Sequence, residues 1–229
     1  MAKILFTAIV ADMRNKLNGS VFSKNRYGAY VRTKVTPVNP QSPAQQLVRN
    51  RLSTNSQAWR NLTEAERQSW INAAADFPQT DIFGNTKTLS GNALYVRLNN
   101  NLATLAELPL ASAPAPVAIP TLILVSAVTS AGAGLVELTT GPGNVPALFS
   151  IVVEATPMIS PGVSFVKNRY RQTLVKPPLD NALSSFGLAY IDKFGPLVEG
   201  QKLFFRAFMV SNVTGQAGIP VSLMALVDA

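Results

Sequence analysis

A proline-rich run, Leu108–Pro120 (LPLASAPAPVAIP), divides this chain into two halves with different hydrophobic periodicities. Proline locks φ and lacks a backbone N–H, so neither a helix nor a central strand can run through four prolines in thirteen residues. Such a segment forms an extended, semi-rigid spacer or a proline-rich first edge strand of the second half. Either form places a boundary here. The expected organisation is therefore 1–107, a linker at 108–120, and 121–229.

Upstream of the boundary, residues 18–36 read as a β-hairpin. Val21 and Phe22 lead through Ser23-Lys24-Asn25-Arg26-Tyr27-Gly28 into Ala29–Val35. Asn25 and Gly28 tolerate positive φ and suit the turn. In the second run Tyr30, Arg32 and Lys34 share one face, and Ala29, Val31, Thr33 and Val35 share the other. One face is basic and aromatic and the other can pack.

Residues 36–43 (TPVNPQSP) form a rigid connector. Three helices come next. Ser42 with Pro43 and Gln45 marks the first start, and Thr63 with Glu66 marks the second. Val48, Leu52 and Trp59 give the first helix its apolar spacing; Trp70, Ile71 and Ala74 serve the second. Phe77-Pro78 ends the second helix, and Ile82–Thr86 reads as a turn. Ser90 caps the third helix, which carries Leu94, Leu98, Leu102 and Leu105. Trp59 and Trp70 are expected in the core of this unit.

Downstream the pattern turns to strands, expected at 121–129, 134–140, 147–156, 167–175, 188–194, 202–211 and 220–227. About seven short strands separated by Gly, Pro, Asn and Ser are the signature of a β-sandwich. The expected fold class is α+β: an N-terminal β-hairpin and small helical unit, then an immunoglobulin/fibronectin-like β-sandwich.

Charge is placed unevenly. Residues 1–60 hold ten Lys and Arg against one acid, Asp12, while the whole chain carries +8. The remaining residues are close to neutral, so the basic front is a contact surface rather than a solubility device. Charged residues are only 14% of the chain, against roughly 25% in an ordinary domain. A chain so poor in charge is expected to bury surface in partners, which favours an assembly subunit.

The residues for catalysis are sparse. With no Cys and no His, disulfides, thiolate metal sites, the usual zinc ligand and the usual general base are excluded. The acids are scattered singly, and Glu64 and Glu66 suit the first turn of a helix. No Gly-Lys-Ser/Thr follows Gly84 or Gly91, so there is no phosphate loop. The expectation is a non-enzyme with no cofactor and no metal. No apolar run approaches the roughly 18 residues that span a bilayer, so no membrane partner is expected. Residues 1–11 resemble a signal h-region briefly, then meet Asp12, Met13 and Arg14 without a cleavage site; a strand or short buried element is expected.

The partner-binding candidates are Lys24, Arg26, Tyr27, Tyr30, Arg32 and Lys34, cations interleaved with aromatics. Such a ribbon can track a phosphate backbone, or lie as an arm over a neighbouring acidic subunit. A helix-turn-helix reading fails, because the second helix would present Glu64 and Glu66 to phosphates. Lys167, Arg169 and Arg171 alternate along an expected strand and form a second candidate patch.

The run Asn18–Arg32 (NGSVFSKNRYGAYVR), then Pro37–Gln46 (PVNPQSPAQQ), Arg49, Trp59–Thr63 (WRNLT) and Trp70, resembles a family of uncharacterised proteins in tailed-phage and prophage genomes. The resemblance covers about residues 14–100. It implies a non-enzymatic virion structural protein, made in the bacterial host cytoplasm and built into the particle as capsid decoration, minor capsid, head–tail connector or tail component. Its partners would be other virion proteins and copies of itself. A DNA-binding protein using the basic hairpin is the alternative.

Overall fold

The computed structural model describes residues 2–3, 10, 12–25, 28–36, 38–80, 86–141, 146–176 and 186–229. Helices and antiparallel sheets give an α+β fold. The chain forms two compact units, residues 1–46 and 47–229.

In the first unit, β1 (Ala2–Lys3), β2 (Asn15–Leu17), β3 (Ser20–Asn25) and β4 (Gly28–Thr33) form one antiparallel sheet in the order β1-β4-β3-β2. The expected hairpin is β3–β4, with Ser20 opposite Thr33 and Asn25 opposite Gly28. The sheet is wider than the hairpin because the two-residue loop Asn18–Gly19 brings β2 alongside β3. Asn18 takes φ +49 there, a left-handed conformation that Asn tolerates. The element expected over residues 1–11 is described only at β1 and Val10; residues 4–9 and 11 lie outside the described residues. Every residue of this unit whose exposure is described is exposed or half-buried.

Helix α1 (Pro43–Asn61) starts where Ser42 Oγ accepts the Gln45 N–H at 3.4 Å. Helix α2 (Glu64–Ala73) has the complete capping box: Thr63 Oγ1 accepts the Glu66 N–H, and the Glu66 carboxylate accepts the Thr63 N–H at 2.7 Å. A short 3-10 turn, Ala74–Asp76, and buried Phe77 close it. Helix α3 (Gly91–Thr104) is capped by Ser90, whose hydroxyl accepts the Ala93 N–H at 3.3 Å. Trp70, Ala74, Phe77, Leu94, Tyr95 and Leu98 form the helical core, with Trp59 packed against it. The Tyr95 ring lies 5.4 Å from that of Trp59 and 5.2 Å from that of Trp70. Both tryptophans are packing residues, as the sequence predicts. Between α2 and α3, β5 (Gln79–Thr80) pairs with β6 (Thr86–Lys87). The turn expected at 82–86 lies outside the described residues except for Thr86.

Part of α1 departs from expectation. Val48 and Leu52 are 64% and 53% exposed. They sit on the same side of the helix as Trp59 and Leu62, which pack on the helical core. The stripe is real at both ends, but only its C-terminal half is covered.

The proline-rich segment is pinned along the helices. Asn99 bonds Leu110 twice: its Oδ1 accepts the Leu110 N–H at 2.7 Å and its Nδ2 donates to the Leu110 carbonyl at 3.3 Å. Trp70 Nε1 donates to the Ala111 carbonyl at 2.8 Å, and Ser69 Oγ accepts the Ala113 N–H. Prolines leave neighbouring N–H and carbonyl groups without ladder partners, and side chains of α2 and α3 supply them.

Beyond it, β9 (Phe149–Ala155), β10 (Arg171–Lys176), β11 (Lys202–Ser211) and β12 (Val221–Leu226) form an antiparallel sheet in the order β10-β9-β11-β12. The hairpin of β7 (Leu124–Ser130) and β8 (Leu135–Thr140) joins the end of β12 through Asp228 N–H to the Thr129 carbonyl and Ala131 N–H to the Asp228 carbonyl. All these strands share one core around Ile151, Val153, Leu203, Phe205 and Ala207.

Two expectations fail here. Residues 188–194, expected as a strand, belong to helix α4 (Gly187–Phe194). Phe186, Tyr190 and Phe194 recur every four residues, a helical period that strand alternation concealed. Gly187 permits the docking, since a Cβ there would sit 1.9 Å from the Gly134 carbonyl oxygen. The strand expected at 167–175 begins only at Arg171; residues 167–169 form a turn closed by Arg169 N–H to the Val166 carbonyl. Lys167, Arg169 and Arg171 therefore do not line one strand face, contrary to the sequence expectation.

Candidate functional site

Strand register decides which side chains of the N-terminal sheet act together, because directly paired residues project to the same face. Arg32 pairs with Val21, and Val21 with Lys16. Tyr30 pairs with Ser23. The ladder continues one step past β4, where Lys34 N–H donates to the Gly19 carbonyl at 2.8 Å. That step keeps Lys34 in alternation with Arg32. One face thus carries Lys16, Val21, Ser23, Tyr30, Arg32 and Lys34.

The other face carries Leu17 and Ser20 opposite Thr33, Phe22 opposite Val31, and Lys24 opposite Ala29. Lys24 is therefore separated from Arg32 and Lys34 by the thickness of the sheet. Among the described residues it is the one charge on that face, at its turn end. Arg26 and Tyr27 lie outside the described residues.

Lys16 is the cation that the hairpin reading missed. Its signal was present in Asn18-Gly19, a strong short hairpin marker, which predicts a strand on its N-terminal side as well. Lys16 and Arg32 stand two strands apart, about 10 Å between Cα positions, and Arg32 and Lys34 about 7 Å apart along the strand.

The electrostatics of this face are uncompensated. Residues 1–46 hold seven Lys and Arg and one acid. That acid, Asp12, is taken by Arg14, whose Nε lies 2.9 Å from Asp12 Oδ2. Among the described residues, the side chains of Lys16, Arg32 and Lys34 have no carboxylate or hydrogen-bond partner, and all three are exposed. Tyr30 is half-buried on the same face, two residues before Arg32. Three exposed cations with an aromatic ring at one end of their row suit an extended anionic surface.

The second unit offers a different picture. A cavity of about 190 Å³ is lined by Asn100, Asn101, Thr104, Glu154, Gln172 and Phe208. Its carboxylate is already used: Glu154 Oε2 accepts from Arg206 Nε at 2.6 Å, and the Arg206 guanidinium lies 4.6 Å from the centre of the Tyr170 ring. Among the described residues no three acids converge as metal ligands. Among them also, no helix is long and apolar enough to cross a membrane. Burial pushes the phenols of Tyr95 and Tyr190 above their ordinary range, with Glu66 adding to the effect at Tyr95. Tyr190 donates its hydroxyl proton to the Thr156 carbonyl at 2.9 Å, a structural bond that fixes α4. Compared with protein-family models, curated proteins and solved structures, the chain matches none.

Proposed function

We propose that this protein is a non-enzymatic structural subunit of a tailed-phage virion, held to an acidic surface of a neighbouring virion protein by the cationic face of its N-terminal sheet. The observation that carries the reading is the set Lys16, Arg32 and Lys34 on one face, exposed and without counter-charge among the described residues. Tyr30 completes that face. Residues 47–229 hold thirteen basic and eleven acidic residues, so another copy of the chain supplies little negative charge to neutralise it. The resemblance of residues 14–100 to tailed-phage proteins adds the virion setting. The strand region is read as a sandwich of immunoglobulin or fibronectin type, supported by antiparallel sheets around one core; helix α4 is its departure from that pattern.

The test replaces Lys16, Arg32 and Lys34 together with Ala and follows incorporation into particles. Loss of incorporation with an unchanged circular dichroism spectrum is the expected result. Lys24→Ala, on the opposite face, should still incorporate. Normal incorporation of the triple variant would sink the anchoring claim. If the face instead binds duplex DNA, affinity falls steeply with salt, and the triple variant flattens that dependence by about 0.9 per lost phosphate contact.

A further inference from the structure

The cavity of about 190 Å³ in the second unit is built from helix α3 and one face of the strands. On α3, Asn100, Asn101 and Thr104 stand at i, i+1 and i+4, on adjoining parts of the helix surface. On the sheet, Glu154 pairs with Gln172, Val152 with Phe208, and Ser150 with Val210. Paired residues project to one face. Val152, Glu154, Gln172, Phe208 and Val210 therefore share the face turned away from the core residues Ile151, Val153 and Ala207. Helix α3 is held beside that face where Asn101 Nδ2 bonds the Gly215 carbonyl. Val152 and Val210 are buried and Phe208 is half-buried. The cavity thus has an apolar floor and polar walls.

Hydrogen bonds within the protein leave part of those walls uncommitted. Thr104 Oγ1 donates to the Asn100 carbonyl and accepts from Arg51, so it is occupied. Asn101 gives its Nδ2 to Gly215 and keeps Oδ1. Glu154 engages Arg206 through Oε2 and keeps Oε1. Among the described residues, the side-chain amides of Asn100 and Gln172 have no partner; only their backbone carbonyls are bonded. The lining therefore offers a mixed set of amide N–H donors and oxygen acceptors.

Charge and size choose the ligand class. None of the described lining residues is a cation, so an anion would meet Glu154 with nothing in the lining to offset it. A cation would compete with Arg206, which is held on Glu154 and over the Tyr170 ring. A neutral hydroxyl both donates and accepts, and so matches the mixed set. The volume lies below the about 300–1,000 Å³ of pockets for drug-sized ligands, so one small ring fills it. Phe208 offers that ring an aromatic surface.

We propose that this cavity binds a neutral sugar ring, held through its hydroxyl groups by Asn100 and Gln172 and packed against Phe208. The site does not depend on the virion reading above.

The probes are glucose and galactose, titrated into the nitrogen-15-labelled full chain while the side-chain amide signals of Asn and Gln are followed by NMR. The expected result is saturable shifts of the Asn100 and Gln172 amides with a Kd of about 1 mM, the range for one small ring with few contacts. Asn100→Ala combined with Gln172→Ala should weaken binding by about tenfold or more. The circular dichroism spectrum should stay unchanged, since neither side chain bonds the protein. Asn92→Ala, an exposed change on α3, should keep the parent affinity. Absence of saturable shifts with both sugars overturns the proposal, as does equal affinity in the double variant. The same shifts produced by N-methylacetamide would mark a seat for peptide and overturn it too. Preference for glucuronate over glucose, weakened by salt, would overturn the neutral class. The Lys16, Arg32 and Lys34 triple-alanine variant should bind sugar as the parent does, so failure of the anchor and failure of this site are read separately.

Discussion

Gly215→Ala should destabilise the second unit severely, because this glycine is where the helical bundle meets the strands. Gly215 follows β11 with φ +70. Its carbonyl accepts from Asn101 Nδ2 of α3 at 2.8 Å. A Cβ at this position would stand 2.3 Å from the Leu98 carbonyl oxygen and 3.1 Å from Leu102 Cγ. An ordinary carbon–oxygen contact is about 3.3 Å or more, so the turn must retreat by about 1 Å. Left-handed backbone costs a non-glycine residue about 1–2 kcal/mol. Loss of the Asn101 bond costs about 1 kcal/mol, and forced displacement against buried Leu98 and Leu102 about 1–3 kcal/mol. The sum is about 3–6 kcal/mol, or a fall of about 6–24 °C in melting temperature for a unit of this size. Urea unfolding followed by tryptophan fluorescence reads it well, since both tryptophans lie in the helical core. A variant that unfolds within about 0.5 kcal/mol of the parent, the range of neutral surface changes, would refute the close approach.

Two other predictions concern bonds the structure specifies. Hydrogen bonds from Thr63 hold the Glu66 carboxyl below its usual range, so the capping box contributes stability above the unfolded carboxylate pKa, about 4.3, and loses it as pH falls through the lower folded value. Unfolding midpoints measured between pH 6 and pH 3 should therefore fall less for Glu66→Gln than for the parent, and Thr63→Ala should cost about 1 kcal/mol at pH 7. Glu154→Gln weakens the half-buried pair with Arg206 and should lower stability by about 1–2 kcal/mol; a midpoint unchanged in denaturant titration would mean the pair is neutral.

Helix starts were legible because capping is local chemistry: Ser42, Thr63 and Ser90 each do what their position in the sequence predicts. Strand β11 was legible because its alternation survives burial, with Leu203, Phe205 and Ala207 facing the core. Helix α4 was not, since an eight-residue apolar segment satisfies either period and tertiary packing against β8 decides it. The candidate face was half legible. Alternation alone puts Tyr30, Arg32 and Lys34 together. The separation of Lys24 and the recruitment of Lys16 depend on cross-strand register, which turn length fixes and composition does not. Exposure of Leu47, Val48 and Leu52 was hidden for a related reason: a stripe shows which side of a helix is apolar, but not how far its partner extends.

Native mass spectrometry of the full chain, at low and high salt and with and without duplex DNA, bears most directly on the assembly reading. Oligomers that persist in high salt and ignore DNA are the result expected if charge-poor surface holds the copies together and the cationic face takes an acidic protein. A monomer that shifts onto DNA at low salt alone would contradict it.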